Sequence, residues 1–486
     1  MGARPPSTLA TLPHASGHRD DHSAQPRSLR RLEWFALGHA AALLVLATWG
    51  FGGGVGWVRT ALTFAGAPAI FLLLAHVKDH TRRAAGSLRA LHWLWPFAGF
   101  NLLVLVAGFT PGFHDMHFGA EPVLAQNPVS AWLPSSARPL LALRELALFD
   151  ALFLPCFNLA LIVRSRRALR GLLLFAGANA LLLSVFGTLQ KLTHAEGLFF
   201  GRVKSPQVYF FASFVYHNHW GAFATLMTAG CLGLVWHYAH RNDGRDFFHG
   251  PAFGGLFAAL VLAATVPLSG SRSCTLLLIA LFGGAFLHVT ARLIRHRRHG
   301  QSLTAPLLGV VVAALIGAAC VWFVARETIL QRFTKTEEQV TAMRERGGIG
   351  SRATLYADTW KMAREKLWFG WGMSSYPHVF ILFNTQKSTA DRLPVFYADA
   401  HSDWLQSVAE HGVVGTALLG LCALLPLAGA RLRQARSLLP AYLLAGCALI
   451  VLYAWIEFPF GNAAVVLTWW LCFFSAVRYA RLDSVS

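Results

Sequence analysis

Charge is scarce in this chain, and acidic residues are the scarcest. Only 23 of the 486 residues are Asp or Glu, and charged residues of both signs make up 13% against 55% hydrophobic. An ordinary soluble domain carries about a quarter charged residues, so that class is excluded. The signatures of metal chemistry are missing as well: there is no HExxH and no Cys/His set at ligand spacing. The seven cysteines (Cys156, Cys231, Cys274, Cys320, Cys422, Cys447 and Cys472) are odd in number, form no CxxC and fall in or beside apolar runs. Neither a disulfide framework nor a zinc centre is indicated, and no metal or other cofactor is expected. The first 30 or so residues lack an apolar signal-peptide core and hold Pro5, Pro6, Pro13 and Pro26. They are expected to form a disordered cytoplasmic tail.

What the chain has in quantity is apolar runs, each long enough to cross a hydrocarbon core of about 30 Å. They fall near 33–51, 57–76, 91–109, 144–163, 169–188, 218–238, 251–268, 273–291, 305–325, 413–430, 439–457 and 463–479. Basic clusters occur at every second turn: Arg30/Arg31, Lys78/Arg82/Arg83/Arg89, Arg164/Arg166/Arg167/Arg170, Arg241/Arg245, Arg292/Arg295/Arg297/Arg298, Arg431/Arg433/Arg436 and Arg478/Arg481. This alternation is the positive-inside pattern and places both termini in the cytoplasm. The net charge of +19 is therefore mostly topology. The cations form no stripe interleaved with aromatics, so no nucleic-acid partner is expected.

The expected fold class is an all-α polytopic membrane protein of about twelve transmembrane helices, with lipids as its surroundings. Residues 1–31 are the tail, 32–325 hold helices 1–9, and 326–412 form a large extracytoplasmic loop between helices 9 and 10. Residues 413–486 hold helices 10–12 and a short cytoplasmic tail. A loop as long as 326–412 is a place for function. It also carries helical signals. One helix opens at Ser351 with Leu355, Tyr356, Thr359, Trp360 and Ala363 at helical spacing, and Gly370 and Gly372 end it. A second runs through "HSDWLQSVAEHG", where Gly412 stops it. The loop should fold as a small helical cap.

Three arginines lie on the outer side, against the positive-inside bias: Arg202 in "GRVKSPQ", Arg272 in "SGSRS" and Arg352 in "GSRATLY". The turn holding Arg272 is too short to lift it far from the membrane, and a cation at such depth points to function. Arg352 stands in a helix's first turn, where an acidic residue would be preferred and an anion would be welcome. Together the three favour a phosphate-bearing substrate. On the same side, His401 precedes a short helix close to the membrane and can take or relay a proton without a metal. His411 is the weaker rival, and Asp399, Asp403 or Glu410 could orient either ring. Finally, "FVYHNHWGAF" sets His217, Asn218 and His219 at the mouth of the sixth span. Two residues apart on a helix, the two histidines would point about 200° from each other, which argues against joint metal ligation.

These stretches, in this order and topology, resemble the O-antigen ligase and Wzy-type polymerase superfamily of bacterial envelope glycosyltransferases. Four stretches carry the resemblance: "FVYHNHWGAFATLM", "LSGSRSCTLLLIALF", "GSRATLYADTW" with "LWFGWGMSSY", and "AHSDWLQSVAEHGVVG", covering about 200–430. The resemblance implies a metal-independent glycosyltransferase in the bacterial inner (plasma) membrane, acting on its periplasmic face. The donor would be a polyprenyl diphosphate-linked glycan. The acceptor would be a hydroxyl of another glycan, of lipid A-core or of a protein. By position, His401 would be the catalytic base, Arg272 and Arg352, with Arg202, the diphosphate ligands, and His217, Asn218, His219 and Glu410 motif or positioning residues. The chain departs from the family's usual pattern at Ser273, at Ser402/Asp403 and at Tyr216, which sets it off the best-known ligase branch. Within the enzyme class the alternative is a protein O-oligosaccharyltransferase. Outside it the rival is a twelve-span transporter of an anionic or lipid-linked substrate. A transporter of two six-helix halves would place its long connection after the sixth helix and show a repeat; here the long loop follows the ninth, and no repeat is visible.

Overall fold

In hydrocarbon, every backbone N–H and C=O must be bonded within the protein, so apolar runs without strand partners become helices. The computed structural model describes residues 27–81, 91–119, 121–241, 249–297, 326, 351–387, 395–430 and 432–484. Its helices are α1 (Arg27–Trp49), α2 (Gly56–Gly66), α3 (Pro68–Thr81), α4 (Trp95–Gly108), α5 (Pro139–Ile162), α6 (Arg166–Leu192) and α7 (His217–Arg241). There follow α8 (Pro251–Ser269), α9 (Arg272–Arg297), α10 (Ser351–Glu365), α11 (Tyr376–Val379), α12 (Asp403–Ala428), α13 (Leu439–Tyr453) and α14 (Ala463–Asp483).

Among the described residues, ten stretches are long and apolar enough to cross a membrane, α2 and α3 forming one of them as Gly56–Lys78. The helix Leu439–Tyr453 is apolar but shorter. These ten and one coincide with eleven of the twelve expected spans. The ninth, at 305–325, lies outside the described residues, as do residues 1–26 of the expected tail and 327–350 of the large loop. The helix α1 already begins at Arg27.

The sequence reading missed one element. Within the connector 110–143, β1 (Phe113–Phe118) pairs antiparallel with β2 (Glu121–Gln126), Phe113 opposite Gln126 and Phe118 opposite Glu121. Gly119, at φ 66°, turns the chain between them. The fold is mostly helical, consistent with the expected all-α polytopic class, with this one small hairpin added in a connector. Short paired strands are permitted in a connector because their edges need no hydrocarbon surroundings.

The core runs through α5, α7 and α14, of whose most apolar windows 78%, 72% and 89% are buried, against 17% for α9. Phe153 and Phe157 stack along α5 and meet Phe474 edge-on, while Trp470 stacks on Phe474. A second, separate cluster forms the cap: Leu355, Met362, Trp371, Tyr376, Phe380 and Ala409. Here α10 ends at Glu365, ahead of the glycines expected to stop it.

Those glycines have a different task. Gly370 (φ 70°) and Gly412 (φ 65°) lie where two backbones meet. A Cβ on Gly370 would come within 2.3 Å of the Glu410 carbonyl, and one on Gly412 within 2.3 Å of the Trp368 carbonyl. At Gly412 the helix α12 kinks, which separates a short cap segment from the membrane segment, as "HSDWLQSVAEHG" suggested.

The helices stand so that alternate ends come together. At one end the side chains of Arg166 and Arg170 reach Asp483 and Tyr479, and Glu33 accepts the backbone N–H of Arg164 and Ser165. The opposite end gathers the mouths of α7, α9, α10, α12 and α14.

Candidate active site

The connector between α13 and α14, "AWIEFPFGN" (454–462), is the hub of that second end. Pro459 and Gly461 make a tight 3-10 turn there, and the Asn462 side chain caps α14 by accepting Val465 N–H at 3.1 Å. The connector leaves its carbonyls and one carboxylate facing the surrounding loops.

Glu457 is that carboxylate, only 3% exposed. Arg352, in the first turn of α10, donates from Nη2 to Glu457 Oε1 at 2.6 Å and from Nη1 to the Ile456 carbonyl at 3.1 Å. His401 Nδ1 lies 3.4 Å from Glu457 Oε2. At that length the contact is loose, as acid–base pairs often are ahead of substrate. Burial alone would raise the Glu457 carboxyl, but the His401 and Arg352 contacts outweigh it and hold it below the ordinary carboxylate range. An ionised carboxylate only accepts, so Nδ1 is the ring nitrogen that donates to it, and Nε2 is the one left toward the open side.

The backbone of His401 is itself unusual. It lies in the left-handed region at φ 51°, where non-glycine residues are uncommon and are held by their surroundings. Tyr356, one turn along α10 from Arg352, donates its hydroxyl to the His401 carbonyl at 2.9 Å. Ser402 then starts α12 by capping Leu405 N–H. The imidazole sits edge-on to the Phe458 ring, centroids 5.0 Å apart, and the side chain is 30% exposed. It is thus pinned on one side and reachable on the other.

The mouth of α7 closes on the same connector. Tyr216 stacks on Phe458 at 5.4 Å and 12°, and His219 Nε2 lies 3.2 Å from the Phe458 carbonyl. A carbonyl only accepts, so His219 donates from Nε2 and cannot be the base through that atom. Asn218 donates to the Tyr216 hydroxyl at 2.8 Å and accepts from the Ser271 hydroxyl at 2.7 Å. The α7 mouth is thereby tied to the turn that carries Arg272. His217 packs between the rings of Tyr209 and Tyr216. The three polar side chains of "FVYHNHWGAF" are therefore part of a bonded framework around the connector.

Of the other expected residues, Arg272 stands exposed in the first turn of α9, after Gly270 has closed α8 in the left-handed conformation (φ 85°). Arg202 is exposed in the segment 193–216, and its side chain makes no hydrogen bond or ion pair among the described residues. Glu410 is buried away from both histidines' rings, accepting the N–H of Ser374 at 3.1 Å and of Tyr376 at 3.0 Å. It holds the turn of the cap. Asp403 accepts Phe460 N–H at 2.8 Å. His411 lies against Phe100, within the helix bundle. Neither Glu410 nor Asp403 reaches His401; the carboxylate that does is Glu457.

Two residues of the site went unnoticed in the sequence. Glu457 is an acid at the rim of an apolar run, a placement that marks function by default. Arg59 escaped although it lies just past the first outer turn, against the same charge bias that singled out Arg272. It pairs with Glu145 and reaches the Gly461 carbonyl at 3.4 Å. Nearby, burial raises the Asp399 carboxyl, opposed by the charges of His401 and Arg59. Among the described residues, no group of three or more His, Cys, Asp or Glu side chains is arranged to hold a metal ion.

The arrangement offers an imidazole with a free ring nitrogen beside guanidinium groups, at the common mouth of several apolar helices. That can accept a proton and hold an anion. A comparison with protein families finds that residues 257–420 match the family model described as O-antigen ligase. Arg272, Arg352, His401 and Glu410 all fall inside the matched region, which supports the resemblance to the O-antigen ligase and Wzy-type superfamily. A search of curated proteins found no match.

Proposed function

We propose that this chain, whose residues 257–420 are an O-antigen ligase region, is a membrane glycosyltransferase that moves a glycan from a polyprenyl diphosphate carrier to an acceptor hydroxyl. Transfer takes place at the end of the bundle where Arg272, Arg352 and His401 lie, on the outer face of the plasma membrane. The acceptor is a glycan, lipid A-core or protein hydroxyl. The observation that carries the reading is the meeting of Arg352 and His401 on one buried carboxylate beside the α7 mouth.

In the reaction, His401 Nε2 takes the proton of the acceptor hydroxyl as its oxygen bonds to the anomeric carbon. The bond from that carbon to the diphosphate oxygen breaks, and its electron pair leaves with the polyprenyl diphosphate. Arg272 and Arg352 stabilise the charge gathering on the leaving group, with Arg202 at the edge of the site. The two arginines do the electrostatic work a divalent metal does elsewhere, so the transfer is metal-independent. His219 and Asn218 hold the α7 mouth in place.

The test is His401→Ala in membrane vesicles that supply donor and acceptor. Transfer should be lost while the protein remains folded in the membrane. Full transfer by the variant would remove His401 as base.

A further inference from the structure

The anion that sits against Arg352 is Glu457 of the chain itself. Its two oxygens are divided: Oε1 takes the guanidinium at 2.6 Å and Oε2 faces the imidazole at 3.4 Å. The partners differ in freedom. Glu457 is 3% exposed, whereas the Arg352 side chain is 50% exposed and can turn toward a ligand without unpacking the cap. His401 is fixed from behind through its carbonyl.

We propose that Glu457 is a positioning residue that couples the donor site to the base: it fixes His401 through Nδ1 and holds Arg352 until a polyprenyl diphosphate takes the guanidinium away. This rests on the transferase reading above. Before donor binds, the carboxylate is shared between the Arg352 guanidinium and the His401 imidazole. Arg352 neutralises it, and the imidazole is held only at the longer distance. A diphosphate offers Arg352 more charge and a bidentate oxygen pair. Once the guanidinium turns to it, Glu457 is left to His401 alone. The ring is then drawn onto the carboxylate, its Nε2 is aimed outward, and the imidazolium formed during transfer has an uncompromised counter-ion. The base is thus completed only when the leaving group is in place, which guards the lipid-linked donor against idle proton transfer. The other ionisable neighbours of Glu457 are Tyr216, Tyr356, Tyr453, Cys274, His219, Asp399 and Asp403. His219 donates to Phe458 and Asp403 accepts from Phe460, so neither competes for the two oxygens.

The coupling makes affinity and turnover move in opposite directions, which loss of structure does not do. In nanodiscs, Glu457→Gln should bind undecaprenyl diphosphate about 5-fold more tightly than wild type, because Arg352 no longer has a competing anion. In vesicles from cells that make the donor, release of polyprenyl diphosphate from the lipid-linked glycan should fall about 10²-fold. Glu457→Asp keeps the charge and should hold wild-type affinity with reduced turnover, which decides the matter if the Gln variant folds poorly. Affinity and turnover falling together in both variants would make Glu457 a structural staple and overturn the coupling; so would wild-type behaviour of both. The underlying transferase reading fails separately, if wild-type vesicles release no polyprenyl diphosphate or if His401→Ala releases it at the wild-type rate.

Discussion

Each end of the helix bundle holds a buried carboxylate with an arginine on it, yet the two are built differently. Asp483, at the end gathering the basic loops, pairs with Arg166 at 2.6 Å and also accepts the backbone N–H of Arg436 and Ser437 at 2.6 and 2.7 Å. The two amide partners are main chain and cannot leave. Glu457, at the other end, is bonded through its side chain to two side chains. The first is a fastener between loops. The second is an arrangement whose partners can be exchanged. Charge near a membrane is costly at both ends, but only where a side chain can be replaced by a ligand does that cost serve chemistry.

The largest effect that would sharpen this contrast is on turnover. His401→Ala should slow transfer about 10³-fold, roughly 4 kcal/mol of barrier, with an unchanged melting midpoint in detergent. Asp483→Ala should do the reverse. It leaves an arginine and two amides without their acceptor, so stability should fall by about 3 kcal/mol while the folded fraction transfers at the wild-type rate. Thermal unfolding and vesicle assays on the same preparations check both. If Asp483→Ala lowered turnover per folded molecule, the two ends would not be separable.

A smaller effect tests the framework around the exchangeable pair. Ser271→Ala removes the hydroxyl that bonds Asn218, at a cost of about 1 kcal/mol. Loosening between the α7 mouth and the Arg272 turn should appear as weaker donor binding, measured by titration with undecaprenyl diphosphate. The smallest effect is with pH. The Glu457 carboxyl is held below its ordinary value of 4.5, so the stability it lends is fully present above that value and lost only as pH falls further, through the depressed value. The protection factors of the α10 amides against hydrogen exchange, referred to the intrinsic rate at each pH, should therefore be equal at pH 7 and pH 5 and fall only below about pH 4.5. Protection already falling between pH 7 and pH 5 would mean that the pair on Glu457 does not hold α10.

Much of the fold was legible because hydrophobic length and loop charge speak directly through the cost of burying charge. Eleven expected spans have counterparts for that reason. The hairpin β1–β2 was not legible: its residues sit in a connector, where no periodic burial forces a pattern. Of the candidate site, Arg352 and His401 were legible, one by charge on the side where charge is avoided and the other by residue type ahead of a helix, and the structure brings these two together. The partner of His401 was not. Asp399, Asp403 and Glu410 are its neighbours in sequence, but two of these turn to backbone N–H groups. The residue that reaches the ring is 56 positions away, brought there by the packing of α10 and α12 around the 454–462 connector.

The left-handed backbone at His401 has a further consequence for how this protein can change. An L-residue in that conformation carries about 1 kcal/mol of strain that glycine does not. A mutation to glycine would thus relax the local backbone while removing the imidazole. Screens for heat resistance and screens for transfer should therefore pull this position in opposite directions. Stabilised variants recovered without an activity filter are expected to lose their histidine here first.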